Sequence, residues 1–164
     1  MRLGGLEARV LERADLPALQ DLLERCADFV TLDEGAPPGP GAAEEALDAV
    51  PPGFPREDQM VFGLGDARLV GMIGVLRGYP SVGEWWIGTF MLDPAARGRG
   101  LGAAVMADFE AWLREQGCAA VYLAVLERNP DAQRFWERVG YQELDRRVRK
   151  GARPDPCVRM VRRL

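Results

Sequence analysis

Three alternate glycines, Gly98, Gly100 and Gly102, constrain the fold of this chain more than any other feature of its sequence. They follow an apolar run of strand length, residues 85–92, and they open an amphipathic helical segment that Gly117 ends. Glycines at such a junction let backbone N–H groups approach an anion closely, with the positive end of the helix dipole behind them. The pattern therefore predicts either a diphosphate-binding loop or a tight strand-to-helix turn that serves packing alone.

Two familiar nucleotide-binding loops do not fit this segment. The dinucleotide-binding fingerprint needs Gly-x-Gly-x-x-Gly in a first βαβ unit and an acid about 20 residues later, whereas the spacing here is Gly-x-Gly-x-Gly. The mononucleotide P-loop ends in Gly-Lys-Ser/Thr, which is absent from the segment. The residues around the loop must therefore decide whether it binds a diphosphate or serves packing alone.

Length and charge narrow the class of protein. A chain of 164 residues predicts one domain with a core of its own. A formal charge of −4 argues against nucleic acid as a partner, because phosphate binding needs clustered cations. The locally basic stretch 146–153 is best explained as a solvated strand edge. No apolar run reaches the ~18–20 residues of a membrane span and the N-terminus lacks a signal-peptide core, so we expect no membrane and a cytoplasmic location.

The chain contains no histidine, which removes the usual near-neutral acid or base and the nucleophile systems that depend on it. Its three cysteines, Cys26, Cys118 and Cys157, lack the close spacing of metal ligands or of a disulfide framework. We therefore expect reduced, mostly buried thiols and no metal site.

The periodicity of apolar residues predicts a mixed α/β sheet. The predicted strands are 5–12, 59–65, 68–76, 85–92, 119–126, 141–148 and 157–164, and the predicted helices run from Leu16 to about Ala27, from the glycine loop to Gly117, and from Pro130 to Gly140. A segment rich in Gly, Pro and Ala, residues 32–56, predicts a mobile substrate-side loop with a short helix near 42–50.

Two motifs at the expected separation resemble those of the GNAT acetyltransferases. Arg97-x-x-Gly100-x-Gly102, after Leu92-Asp93-Pro94, resembles the acyl-CoA loop of that family, and the segment from Asn129 to Tyr141 resembles its second motif. The resemblance implies a mixed, mostly antiparallel sheet of six to seven strands flanked by helices, with central strands splayed to admit CoA. It implies a single domain over residues 1–164.

The resemblance also implies a cofactor site. The backbone of Arg97, Gly98, Arg99, Gly100, Leu101 and Gly102 would hold the CoA diphosphate. Met91 and Leu92 would hydrogen-bond the pantetheine arm, with an N–H near Met91 polarising the thioester carbonyl. Asn129 would contact the arm, serve as helix N-cap, or do both. Acetyl-CoA is the expected acyl donor, and its acyl group would lie between strands 85–92 and 119–126.

One position departs from the family pattern. Members commonly carry a tyrosine after the phenylalanine of the second motif, and that tyrosine protonates the departing thiolate, but this chain has Trp136 there. An indole N–H cannot act as an acid at working pH. We expect Trp136 to pack against the cofactor arm or the core, and solvent to supply the proton.

A carboxylate is the expected general base, because an amine must lose a proton to attack and no histidine is present. Glu84, predicted on one face with Trp86, Gly88 and Phe90, is the first candidate and would act through water. Glu127, at the end of the partner strand, is the second. The alternative for either glutamate is a solvated charge at a strand end.

Together these features predict an N-acetyltransferase that moves an acetyl group from acetyl-CoA to a primary amine by direct attack in a ternary complex. The acceptor would be a small molecule or a peptide amine. The alternative is a catalytically weak module that senses acyl-CoA, a hypothesis that rests on Trp136. A homodimer is a reasonable expectation for a domain of this kind.

Overall fold

The computed structural model describes residues 1–149 and 154–164 of the chain. Within them the chain forms a sheet of eight strands with helices on both faces. The strands are β1 (Arg2–Leu3), β2 (Leu6–Val10), β3 (Gln59–Leu64), β4 (Gly71–Arg77), β5 (Glu84–Leu92), β6 (Ala120–Leu126), β7 (Gln142–Arg149) and β8 (Asp155–Arg163). The helices are α1 (Leu16–Arg25), α2 (Ala27–Glu34), α3 (Ala42–Asp48), α4 (Leu101–Glu115) and α5 (Pro130–Arg138).

The strands lie in the order β1-β2-β3-β4-β5-β6-β8-β7. All neighbouring pairs in this described sheet are antiparallel except β5 and β6, which are parallel. That parallel pairing runs from Glu84↔Ala120 to Ile87↔Leu123 and then stops, although β5 stays paired with β4 and β6 with β8. The second halves of β5 and β6 therefore part, which confirms the predicted splayed and mostly antiparallel sheet.

A β-bulge at Gly88 lies where the two strands part. Gly74 of β4 pairs with Thr89, but the next residue, Val75, pairs with Ile87, so that Gly88 is an extra residue in β5. A bulge breaks the alternation of faces along a strand and increases its local twist.

The bulge corrects one expectation from the sequence. Ile87 and Phe90 both pack into the core beneath α4 and α5, although they are three residues apart. Phe90 contacts Trp136 there, whereas Trp86 contacts Tyr79 on the opposite face. Phe90 therefore does not share a face with Trp86, as simple alternation had predicted.

Each face of the sheet has its own apolar core. On one side α4 buries Val105, Met106, Phe109 and Leu113 completely. The helical period of the sequence predicted Val105, Phe109 and Leu113 but not Met106. On the other side α1 and α3 cover the sheet with residues that recur at helical spacing, which are Leu19, Leu22, Leu23, Ala43 and Leu47. Burying such side chains stabilises the fold by about 1.5–3 kcal/mol each. The sheet and its glycine loop are thus held between two packed layers.

Several predicted bounds change. A helix, α2, covers Ala27–Glu34, where the sequence predicted the end of α1 and the start of a loop. Gly35 ends it in the left-handed conformation at φ 87°. The short helix predicted near 42–50 is confirmed as α3. The two-residue β1 was not predicted, and it raises the strand number from the expected six or seven to eight. Lys150 and Arg153 of the predicted basic edge lie outside the described residues.

Candidate active site

The glycine loop begins at a buried carboxylate. Asp93 accepts a hydrogen bond from the Ala95 amide (2.9 Å) and pairs with Arg25 of α1. A single 3-10 turn, Pro94–Ala96, follows it. Asp93 thus forms the turn that opens the loop, and its carboxylate fixes the start of the loop against α1.

The loop then uses glycine where only glycine is unstrained. Gly98 and Gly100 have φ of 77° and 80°, and the space where a Cβ would lie is open at both. Gly102 has no such backbone need, but a Cβ there would lie 3.2 Å from the ring of Phe135. The first two glycines therefore shape the loop, whereas Gly102 lets α4 approach α5.

The start of α4 presents unpaired amides. The amide of Ala104 makes the bond to the Gly100 carbonyl (3.1 Å), so the amides of Leu101, Gly102 and Ala103 have no partner within the helix. The N-cap residue offers them no side-chain acceptor. Arg99 is exposed and makes no ion pair with any residue that the structure describes. Such a helix start is suited to a phosphate group.

Arg97 fastens the loop from within. Its Nε donates to the Leu92 carbonyl (2.8 Å), and its Nη2 donates to Oδ1 of Asp28 (3.1 Å) on α2. Its Nη1 donates to the other oxygen of the same carboxylate. The Arg97 guanidinium lowers the pKa of Asp28. Because its side chain is bonded to Leu92 and Asp28, the part of Arg97 left for the anion contact that the resemblance implies is its backbone.

The parted strands enclose a slot through the sheet, a cavity of about 240 Å³ between residues 86–90 and 123–126. Asn129, Ala132 and Trp136 line it on one side. The Asn129 side chain accepts from the Ala132 amide (3.1 Å), so the predicted N-cap is confirmed. Trp136 is buried, packs between Phe90, Phe135 and Tyr141, and still lines the slot.

The backbone of β5 corrects one predicted contact. The Asp93 amide bonds to the Val70 carbonyl beside β4 (2.8 Å), and backbone groups in an antiparallel ladder alternate in direction from one residue to the next. Leu92 therefore points its backbone groups away from β4, and its carbonyl indeed accepts from Arg97. By the same alternation Phe90 points its amide toward the slot, whereas Met91 directs its own toward β4. The residues of this segment whose backbone groups point away from β4 are thus Phe90 and Leu92, and of these Phe90 lines the slot.

A second, larger cavity of about 1000 Å³ opens on the other side of β5. Its floor is β4 and β5, and its walls are α2, α3 and the segment 36–54. Phe54, Tyr79 and Trp86 form an aromatic wall, with ring centroids 5.4 Å apart for the first pair and 5.3 Å for the second. Both cavities are lined by a shared set of residues, Phe29, Asp33, Trp86, Gly88, Thr89 and Arg149, so they meet at the bulge.

Charged side chains also line the larger cavity, and those that the structure describes are Asp33, Glu34, Glu45 and Arg149. Arg149 donates to Oδ1 of Asp33 (2.7 Å) and to its backbone carbonyl (2.6 Å). Partial desolvation raises the pKa of Glu34, and the neighbouring Asp33 carboxylate raises it further. No pattern in the sequence predicted this group, because α2 was not predicted and Arg149 is more than a hundred residues away from Asp33.

The two predicted bases lie apart from each other. Glu84 accepts a hydrogen bond from Oη of Tyr122 (3.0 Å) and lines neither cavity, although Trp86, two residues along, lines both. Burial and the nearby Glu84 raise the pKa of the Tyr122 phenol. Glu127 is exposed, accepts from Arg146 (3.1 Å) and lines neither cavity.

A mostly antiparallel sheet whose two parallel central strands part, with a glycine-rich helix start after the first of them, is the arrangement that the resemblance to the acetyltransferases implied. The sequence model of the acetyltransferase (GNAT) family matches residues 17–141. The chain belongs to this family of acetyltransferases, whose members use acetyl-CoA.

Known relatives agree with that assignment. Glucosamine 6-phosphate N-acetyltransferase of Trypanosoma brucei brucei is 27% identical over 150 residues, which cover 88% of this chain and 94% of that protein. An uncharacterized protein of Mycobacterium leprae is 34% identical over 82 residues, 49% of this chain but only 22% of that protein. A crystal structure of an acetyltransferase from Thermus thermophilus superimposes with a TM-score of 0.79 at 22% identity, covering 100% of both chains. This structural likeness shows a shared fold.

Two features are absent from the described residues, 1–149 and 154–164. None of their helices is long and apolar enough to cross a membrane. No group of three or more Cys, Asp or Glu side chains among them is placed to hold a metal ion.

Proposed function

We propose that residues 1–164 act as one N-acetyltransferase domain that transfers an acetyl group from acetyl-CoA to a primary amine by direct attack. The observation that carries the proposal is the connection of the slot with the larger cavity. The slot lies between the parted halves of β5 and β6, and β5 leads on into the glycine loop. The slot meets the larger cavity at Gly88. A donor in the slot and an amine in the cavity would meet at the bulge.

The residues present fit the CoA group. The open space at Gly98 and Gly100, together with the uncapped amides of α4, is suited to a diphosphate. Arg99, which no described residue pairs with, would lie at the exposed side of that diphosphate. The amides of Phe90 and Leu92 would bond the pantetheine arm as a strand, with Asn129 and Trp136 as the opposite wall of the slot.

Acetyl-CoA would supply the acetyl group as a thioester; a new C–N bond forms as the C–S bond breaks. The Phe90 amide, next to the Met91 amide named by the resemblance, would polarise the thioester carbonyl, since Phe90 lines the slot beside the bulge. Glu84 would take up the amine proton through water, held in position by Tyr122. Solvent would return a proton to the thiolate, since the indole of Trp136 cannot.

Asp33 is the carboxylate that the structure adds to the two predicted bases, because it lines both cavities. The three candidate bases can be tested one at a time with the variants Glu84→Gln, Asp33→Asn and Glu127→Gln. If Glu84 is the base, Glu84→Gln alone should lower kcat/KM by about 10²-fold or more and remove the acidic limb of its pH profile. An unchanged profile in Glu84→Gln, with the loss in Asp33→Asn instead, would move the role to Asp33.

A thiol-release assay with acetyl-CoA and a panel of amines tests the function itself. The panel should span diamines, amino acids, amino sugars, peptides with free N-termini, and glucosamine 6-phosphate, the compound in the name of the trypanosomal relative. Turnover on any member supports the transferase.

The second candidate function is an acyl-CoA sensor, which Trp136 favours by standing where the family commonly has its acid. Calorimetric binding of acetyl-CoA without turnover on any amine would establish the sensor in place of the enzyme. If millimolar acetyl-CoA gave no heat of binding, both functions would be excluded.

A further inference from the structure

The larger cavity, in which the acceptor amine would bind, holds more negative than positive charge. Within the described residues, three carboxylates, Asp33, Glu34 and Glu45, face one guanidinium, Arg149. Arg149 is already bonded to Asp33, and it lies 3.8 Å from Oδ2 of Asp155. Glu34 and Glu45 have no ion-pair partner in the part of the chain that the structure describes. Arg149 also attracts the Glu34 carboxylate, but one guanidinium cannot balance three carboxylates, so the described cavity wall keeps a net negative charge.

Aromatic rings line the same cavity as these carboxylates. Phe54, Tyr79 and Trp86 pack edge to face along the same cavity, and Phe29 of α2 lines it as well. The face of an aromatic ring attracts a cation, and an ammonium group held by both a ring and a carboxylate is bound more tightly than by either alone. The larger cavity thus combines two features that favour a positive group, a net negative charge and exposed ring faces.

Resting on the function proposed above, we propose that the acceptor is a small amine that carries a second cationic group. The reacting amine lies at the bulge, where the two cavities meet, and the second ammonium lies between Glu34, Glu45 and the aromatic wall. An acceptor with a phosphate in that place would meet uncompensated carboxylates, because Arg149, the cation of the described cavity wall, is engaged. Glu34 and Glu45 then determine specificity without taking part in the transfer of the acetyl group.

A matched pair of acceptors tests the inference: 1,4-diaminobutane, which carries the second ammonium, and butylamine, which does not. The wild-type protein should use the diamine with kcat/KM at least about tenfold higher, the size of one or two charge contacts at a partly desolvated site. The Glu34→Gln/Glu45→Gln variant should bring that ratio close to one by raising KM for the diamine, with kcat and the butylamine values unchanged. Added salt should reduce the wild-type preference and leave the variant unaffected.

Glu44→Gln is the matched control, because Glu44 is an exposed neighbour on α3 that does not line the cavity. It should keep the wild-type ratio. Equal use of both amines by the wild type, an unchanged ratio in the double variant, or preference for an amino-sugar phosphate would overturn the inference while leaving the transferase standing. Failure of every amine in the panel would instead remove the proposed function itself.

Discussion

Gly100 has two roles: it begins α4 in a conformation that suits glycine, and it shapes the loop in which the CoA diphosphate would bind. It is the N-cap of α4, with φ 80° and open space at its Cβ position. Alanine there should strain the backbone by about 1 kcal/mol and turn the first amides of α4 away from a bound diphosphate. We expect Gly100→Ala to raise the Kd for CoA by about tenfold or more, measured by calorimetry.

The control for this prediction is Gly117→Ala. Gly117 has nearly the same φ, 77°, and equally open space, but it follows the other end of α4. It should lower the free energy of unfolding by a similar amount with no change in the Kd for CoA. Equal weakening of CoA binding in both variants would mean that the strain, and not the loop, is responsible.

Asp15 is the residue whose protonation should affect stability most clearly. The Arg9 guanidinium and the Glu12 amide hold the pKa of this carboxyl at about 2, below its ordinary value of 3.8. A carboxyl whose pKa is lower in the folded chain stabilises the fold at every pH above its pKa in the unfolded chain. That stabilisation is lost as the pH falls toward the pKa in the folded chain. The side chain is mostly buried but Arg9 is half exposed, so we expect about 1 kcal/mol.

Asp15→Asn should therefore lower the free energy of unfolding by about 1 kcal/mol at pH 7, and the gap should close between about pH 5 and pH 2. Urea denaturation across that range measures it. A gap that stayed constant with pH would assign the effect to the position of Asp15 at the start of α1 and not to its charge.

At the scale of elements, α2 joins the two halves of the site. Its Asp28 is bonded to Arg97 of the glycine loop, and the next turns carry Phe29 and Asp33, which line both cavities. Asp28→Asn should raise the Kd for CoA by about threefold to tenfold and raise the acceptor KM in parallel, because loop and wall lose their common anchor.

Asp48→Asn serves as the control for the loss of the ion pair between Asp28 and Arg97. Asp48 pairs with Arg13 at an exposed position on α3 and lines neither cavity. Removing the Asp48 charge should leave both the Kd for CoA and the KM for the acceptor unchanged. A wild-type Kd in the Asp28 variant would show that the loop keeps its shape without α2.

Local signals in the sequence predicted the elements with strong periodicity. Val105, Phe109 and Leu113 of α4, the Asn129 cap of α5 and the glycines of the loop each depend on a pattern that spans only a few neighbouring residues, so each is visible in the chain. Simple alternation could not find the bulge, because Gly88 has no side chain to mark a change of face. The charged cavity wall depends on contacts between α2 and β7, which no local pattern records.

For the whole molecule, CoA should act as a stabilising ligand. A ligand bound only by the native state at about 100 times its Kd adds about 2.7 kcal/mol to the free energy of unfolding. For a chain of this length that corresponds to a rise in Tm of about 5–10 °C by calorimetry or dye fluorescence. The rise should shrink in Gly100→Ala and persist in Gly117→Ala. An unchanged Tm at saturating CoA would contradict the assigned site.

The pairing of β5 with β6 ends at Ile87 and Leu123, so the protein carries two strand edges in the middle of its own sheet. Such edges leave backbone donors and acceptors that an outer strand would normally satisfy. A donor arm in the slot supplies the missing partner and makes the sheet continuous. We expect the unliganded chain to open first at this seam, and hence to be degraded faster when acetyl-CoA is scarce, so that its abundance in a cell would follow the supply of its own substrate.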